Sequence, residues 1–258
     1  MIRRPIKLDA GADGWMLVSQ VEHARLAGQL AERWAIEPAR QLQLVQKELL
    51  TAIFHHDDGW TTWERRPKID ATTGQPLDFT EIKLADSLDI WRRSIAVGES
   101  IGYLSAHVIA GHFLFLLARS DAWTTDDADG LLARSWATEF RTKQAEWLAE
   151  WQLEPDKIDL PGLAETALNH LQILDALSLW FCCAERTDPN EITLATGVKL
   201  TFTPTTPYEV HVAPWPFAVN GLRISIGGDL VDQQRFDSTE ELNAARKQAA
   251  TLAWRLFP

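Results

Sequence analysis

The chain has 258 residues, of which 46% are hydrophobic and 24% charged, a composition typical of a folded globular protein and not of a disordered, collagen-like or coiled-coil chain. Its net charge of −11 repels phosphate backbones and anionic lipids, so we expect no nucleic-acid or membrane partner. The N-terminus lacks the apolar run of a signal peptide, and no window is apolar enough to span a membrane. The only two cysteines, Cys182 and Cys183, are adjacent and cannot form a disulfide framework, which favours a cytoplasmic protein.

Helical periodicity dominates the chain up to about residue 187. A capping-box pattern at Ser19 predicts a helix over 20–34, and Pro38 opens a second helix that ends at Gly59. The elements predicted next are an ordered loop over 60–79 and helices at about 81–97, 101–119, 127–152 and 162–185.

Beyond residue 187 the pattern changes, because Pro, Thr and Gly become frequent and the hydrophobic period shortens towards two. This predicts short strands in ITLAT, VKLTF, YEVHVA and LRISI, followed by a closing helix from about Thr239 to Leu256. We therefore expect a mainly α protein in two parts. A helical body would cover 1–187, and a small β appendage with a terminal helix, packed on that body, would cover 188–258.

Four polar residues are predicted to face the interior of the helical body. His23 lies on an apolar stripe, His56 and Asp57 follow an apolar helix face, and Asp175 shares its face with leucines. A buried carboxylate is costly unless it is paired, protonated or bound to a cation. Since imidazole and carboxylate are ligands of Fe, Mn, Zn and Ni, these four residues predict a site for one divalent transition metal ion.

The order His23, His56-Asp57, Asp175 resembles the HD superfamily of metal-dependent phosphohydrolases, in which these positions are the metal ligands. The strings FHHDDGW and LQILDALSLW fit its His-Asp turn and its terminal Asp helix. The resemblance covers roughly 15–185 and implies an HD-like helical body with a bound metal. More narrowly, QVEHARLAGQLAERW, HHDDGWTTWE and PWPF resemble a bacterial family known only as a domain of unknown function with an HDDGW motif, which implies no activity.

Two further residues are candidates for proton transfer. His112 is predicted to point inward, and Asp58 follows the His-Asp pair. Some HD enzymes bind a second ion through two additional histidines. His112 fits such a role, but His107 lies about 140° away around the helix, which favours one ion and leaves two as the alternative. His112 is also compatible with a hydrogen-bonded core residue, and Asp58 with a helix cap.

The candidate substrate contacts lie close to the predicted ligands in the sequence. Tryptophans after the His-Asp pair could wall a pocket or only anchor their loop. An arginine could clamp an anionic group by bidentate contacts or serve in an ordinary ion pair. The candidate substrate-binding residues are Gln20, Trp60, Trp63, Glu64 and Arg92.

These observations lead to one functional hypothesis and two alternatives. The hypothesis is a metal-dependent hydrolase that activates water to cleave a small phosphoester. The alternatives are a dinuclear iron oxygenase of the HD type and a non-catalytic metal-binding protein. In the first two cases the partner is a small molecule, and a homo-oligomer is compatible with the sequence.

Overall fold

The structure is a computed structural model that describes residues 1–7, 13–154, 162–245 and 247–258. Its strands are β1 (Ile2–Lys7), β2 (Asp13–Val18), β3 (Asn190–Thr193), β4 (Lys199–Thr206), β5 (Glu209–Ala213), β6 (Leu222–Val231) and β7 (Gln248–Phe257). Its helices are α1 (Gln20–Arg33), α2 (Gln46–His55), α3 (Thr61–Glu64), α4 (Leu84–Ile101), α5 (Tyr103–Leu117), α6 (Ala128–Gln152), α7 (Leu163–Cys183) and α8 (Thr239–Ala244).

Contacts between Cα atoms divide the chain into two compact units. The first comprises Met1–Glu37, Thr61–Glu81 and Leu174–Pro258, and the second comprises Pro38–Trp60 and Ile82–Ile173. The boundary predicted near residue 187 is a different division of the chain and stays a prediction.

The first unit contains a seven-stranded mixed sheet, curled into a half-barrel, in the order β1-β2-β6-β7-β5-β4-β3. Only β5 and β7 pair in parallel; the other neighbours in this described sheet are antiparallel. The C-terminal end of α7 packs on one face, where the rings of Phe181 and Trp254 have centroids 5.3 Å apart. We call this the α7 face. By strand register, the residues that share it include Arg4, Met16, Leu230, Leu252 and Trp254.

Helix α1 covers a stretch of β6 that β2 leaves open. Strand β2 pairs with β6 only through residues 15–17, after which the chain enters α1. The side-chain amide of Gln29 then exchanges two hydrogen bonds with the backbone of Ser225, at 2.9 and 3.1 Å, and Glu22 accepts the N–H of Gly227 at 3.1 Å. These side chains replace a neighbouring strand, so the edge carries no unpaired ladder there.

The predicted fold class is wrong. The described residues are 51% helix and 22% strand, and their large curled sheet replaces the small β appendage of a mainly α, HD-like protein. Strands β1 and β2 were not predicted, although Pro5, which has no N–H to donate, suits the edge position that β1 occupies. These N-terminal strands belong to the same sheet as the four strands predicted after residue 187.

The predicted closing helix is also wrong, since α8 ends at Ala244 and β7 follows it. The segment QAATLAWRLF is rich in Ala and Leu, which are good helix formers. Its apolar residues nevertheless alternate, and Trp254 and Leu256 are buried on the α7 face. Pairing with β6 along nine residues overrides the local helix propensity.

The second unit is helical, with α5 at its centre. Helix α5 is apolar on all sides, and it packs against α2, α4 and α6. Aromatic rings fill the space between these helices: Trp91 stacks on Phe113 at 5.2 Å between centroids, and Trp136 lies 4.3 Å from Phe140. The predicted helices of this region are confirmed, except for the second one. Gln41–Val45 is a 3₁₀ segment, α2 begins only at Gln46, and it ends at His55, before Gly59.

Candidate metal centre

Helix α1 presents His23 on its buried face. Ser19 caps the helix by accepting the N–H of Glu22 at 3.1 Å, which fixes the first turn, and His23 is only 1% exposed. The His23 Nε2 atom lies 3.1 Å from Oδ1 of Asp175 on α7. The predicted inward orientation of both residues is therefore correct, because both are buried.

Ser178, which the sequence analysis did not select, determines which nitrogen of His23 carries the proton. Its hydroxyl donates to the backbone oxygen of Asp175 at 2.9 Å, so its one proton is already used. The Ser178 Oγ must then accept from Nδ1–H of His23, 2.7 Å away. The Nε2 of His23 consequently directs a lone pair at the Asp175 carboxylate.

His56 and Asp57 form a second pair with the same chemistry. Helix α2 ends at His55, and His56 Nδ1–H donates to the carbonyl of Ile53 at 2.8 Å. The Nε2 atom of His56 therefore carries a lone pair, and it lies 3.5 Å from Oδ2 of Asp57. His56 is fully buried and Asp57 is 6% exposed.

One ligand atom from each of His23, His56, Asp57 and Asp175 lies within 4.8 Å of the other three. In both pairs an imidazole nitrogen faces a carboxylate oxygen, and at this distance the two atoms repel each other unless a proton or a metal cation lies between them. Ligands of one first-row ion, each about 2.0–2.2 Å from it, are themselves roughly 3–4 Å apart. The four residues form a buried candidate metal-binding cluster whose donors suit such an ion.

Ser178→Ala tests the tautomer assignment. The substitution leaves the buried Nδ1–H of His23 without its acceptor, which should lower metal affinity about 10- to 100-fold and cost about 1–3 kcal/mol in free energy of unfolding. The matched control is Ser105→Ala, because the buried Ser105 hydroxyl also donates to a backbone oxygen, that of Glu48. Metal titration of both variants is the measurement, and equal affinities would contradict the assignment.

His112 lies beside His56, with ring centroids 5.4 Å apart and planes at 84°. It is 2% exposed, as its predicted inward orientation requires. His107 instead interacts with α6, where its Nδ1–H donates to the carbonyl of Gln144 at 3.0 Å and the Gln144 amide donates back at 3.2 Å. Burial lowers the pKa of His107. These contacts agree with the expectation that the two histidines do not face one ion.

Asp58 and Gln20 are the next two candidates for roles in proton transfer and substrate binding. Asp58 accepts from His55 Nδ1 at 2.7 Å and is partly exposed. The Gln20 side chain is 2% exposed, and its Oε1 has no hydrogen-bond partner among the residues that the structure describes. Gln20 is three positions before His23 and therefore shares its side of α1. Roles for Asp58 and Gln20 in catalysis or binding stay predictions.

Glu64 and Arg92 have structural partners. The Glu64 carboxylate accepts the first N–H of α1, from Gln20, at 2.8 Å and pairs with the N-terminal ammonium at 2.9 Å. The Arg92 guanidinium forms a bidentate pair with Glu139 at 2.6 and 2.9 Å, and this bonding lowers the pKa of Glu139. The geometry of Arg92 thus favours the ordinary ion pair of the two interpretations.

The tryptophans after the His-Asp pair are anchored in the protein. Trp60 is 4% exposed, and Trp63 packs against the cluster that contains Trp15 and Phe236. This agrees with the anchoring alternative for Trp63. Their proposed place in a substrate pocket stays a prediction.

Acid stability should depend on His170, which is buried on α7. Burial lowers its pKa from 6.5 to about 4, so the folded state holds it neutral while the unfolded chain protonates it. The unfolded state therefore binds more protons between about pH 6.5 and 4, and stability falls as the pH falls through that range, by up to about 3 kcal/mol from this group. Chemical unfolding of the parent and His170→Gln at pH 7 and 4.5 should give a smaller acid loss in the variant; equal losses would contradict the assignment.

None of the helices in the described ranges is long and apolar enough to cross a membrane. A family model described as "Protein of unknown function (DUF3891)" matches residues 7–233. No curated protein and no solved structure matches the chain. The comparisons thus agree with the resemblance to a family of unknown function and give no support to the broader HD resemblance.

Proposed function

Because the chain belongs to the DUF3891 family of proteins of unknown function, we propose its activity from its own side chains: a metal-dependent hydrolase that acts on a small phosphoester. The observation that carries the proposal is the buried cluster in which two imidazole lone pairs and two carboxylates lie within 4.8 Å. Two nitrogen and two oxygen donors suit Fe, Mn, Zn or Ni, and the two carboxylates offset the ionic charge.

When bound, a divalent ion lowers the pKa of a coordinated water to about 7 and polarises a phosphoryl oxygen. His112 would donate a proton to the leaving group, because its imidazole lies next to His56 and an imidazole can act as a general acid. Gln20 would contact the substrate through its buried amide. Asp58, which is partly exposed, is the alternative candidate for proton transfer.

The test is reconstitution of metal-free protein with Mn²⁺, Zn²⁺, Fe²⁺ or Ni²⁺, followed by assays with p-nitrophenyl phosphate and bis(p-nitrophenyl) phosphate. We expect hydrolysis with at least one ion, one ion per chain, and loss of hydrolysis in His112→Ala with the metal retained. His211→Ala is the control, because His211 lies on β5 and outside the cluster.

Two other outcomes would overturn the proposal. Two iron ions per chain that fall to one in His112→Ala, together with oxygen consumption, would indicate a dinuclear iron oxygenase. One tightly held ion without hydrolysis of either ester would favour a non-catalytic metal-binding protein.

A further inference from the structure

A cavity of about 540 Å³ opens on the α7 face of the sheet, at the end formed by β1, β2, β6 and β7. Its size lies within the range of roughly 300–1,000 Å³ that small-molecule sites occupy. Leu230, Ala250 and Leu252 supply partly exposed apolar walls, while Arg4, Glu185 and Tyr208 supply polar groups. All of these residues belong to the first unit.

The unusual member of this lining is Arg4, a charged side chain that is only 4% exposed on a mainly apolar sheet face. Its Nη1 donates to the carbonyl oxygens at the end of α7, to Phe181 at 2.8 Å and to Cys182 at 3.3 Å. A guanidinium has five N–H donors in a fixed planar fork. Within the described part of the chain, no acceptor bonds to Nε or Nη2 of Arg4.

The Arg4 guanidinium also lies over the Trp254 ring, 5.9 Å from its centroid, but among the described residues no carboxylate forms an ion pair with it. Burial lowers its pKa, whereas Cys182 and Glu185 act in the opposite direction, yet an arginine stays protonated in a protein. At the rim, Lys7 and Asp13 pair with each other and cancel. A buried cation with unused donors is costly, and an anion that enters the cavity would use them.

We propose that this cavity binds a small organic acid, with its carboxylate on the Nε and Nη2 donors of Arg4 and its apolar body along Leu230, Ala250 and Leu252. Arg4 supplies the paired donors that a carboxylate accepts. Leu230 lies on β6 opposite Gln248, and Ala250 and Leu252 follow on the same face of β7, so the apolar side chains form an extended strip, which favours an extended hydrocarbon or aromatic body over a sugar. The proposal does not depend on the metal cluster or on the hydrolase activity.

Three probes with the same eight-carbon tail and different head groups test the proposal: octanoate, octanol and octylammonium. Titration calorimetry of the full chain should show octanoate binding at least about tenfold more tightly than octanol, since hydrogen bonds to charged groups are worth this much. Octylammonium should bind more weakly than both, because Arg4 repels its head group. Equal binding of the three probes, or no binding of octanoate, would overturn the proposal.

Two variants test whether octanoate binds in this cavity. Leu252→Trp fills the cavity from the α7 face and should abolish octanoate binding, whereas Ala253→Trp, on the exposed opposite face of the same strand, should leave it unchanged. Octanoate binding that is equal in Leu252→Trp and the parent would overturn the location.

Arg4→Gln should bring octanoate affinity down to that of octanol, and a retained preference would overturn the role of Arg4. Arg4 also bonds to α7, so circular dichroism must first show that this variant folds. Should it not fold, Arg4→Lys tests the same point, because it keeps the charge but removes the fork and should lose most of the preference.

Discussion

Asp175→Ala is expected to purify without the metal ion that the parent retains, and its affinity should fall by more than the 10- to 100-fold typical of residues that only orient a ligand. Asp175 is 7% exposed, and its carboxylate lies 3.1 Å from Nε2 of His23. Elemental analysis and metal titration provide the measurement. Glu165→Ala is the control, because Glu165 is an exposed carboxylate on the same helix; metal content equal to that of the parent in Asp175→Ala would contradict the ligand assignment.

A second substitution of Asp175, to Asn, is expected to be more stable than the parent when a chelator removes the metal, and less stable when metal is present. At a pH where the His23 imidazole is neutral, Asp175→Asn replaces a carboxylate oxygen by an amide that can donate to the His23 lone pair, so an acceptor–acceptor repulsion becomes a hydrogen bond. In chelator the Asn variant should therefore unfold at higher temperature than the parent. In saturating metal the parent should be the more stable, since a ligand that binds only the folded state adds about 2.7 kcal/mol at 100 times its dissociation constant. A parent that is more stable under both conditions would show that no such repulsion exists.

Local patterns were sufficient to select the cluster. His23 and Asp175 are recognisable because each stands among apolar residues at helical spacing, and burial of both confirms that reasoning. Ser178 was missed because a small polar residue in an apolar helix resembles an ordinary core serine. Its spacing of three from Asp175 was the available signal, since such residues share a helix face.

The sheet was missed for a different reason. Strand β7 is specified by pairing with β6, from which α8 separates it in the chain, and, in parallel, with the more distant β5. Strands β1 and β2 join the same sheet through β6, more than 200 residues later in the chain. Such non-local pairings leave only a short alternation in the sequence, and in β7 the helix-forming residues obscure it. The predicted helices of the second unit were identified more easily because their packing follows a long local period.

Gly59→Ala is expected to be the most destabilising of these substitutions in the presence or absence of metal. Gly59 lies in the HDDGW turn, and its N–H donates to Ser94 Oγ on α4 at 3.0 Å. A Cβ at this position would lie 2.2 Å from the carbonyl oxygen of Ile90 and 2.5 Å from the backbone nitrogen of Ser94. Both atoms belong to the α4 backbone, so no side-chain rotation relieves the overlap, and we expect a loss of about 3 kcal/mol or more in free energy of unfolding.

Because Gly59 follows the His56-Asp57 pair by two residues, shifting this turn away from α4 should also weaken metal binding. Gly227→Ala is the control: its Cβ would approach only a flexible carboxylate, that of Glu22, at 3.4 Å. Chemical unfolding in chelator isolates the packing effect, and metal titration at a temperature where both variants are folded isolates the effect on the site. A loss in Gly59→Ala no larger than that in Gly227→Ala would mean that the turn does not pack against α4. A large loss of stability with unchanged metal affinity would instead mean that the ligand pair holds its position without this contact, and the glycine of the HDDGW turn would then serve the fold alone.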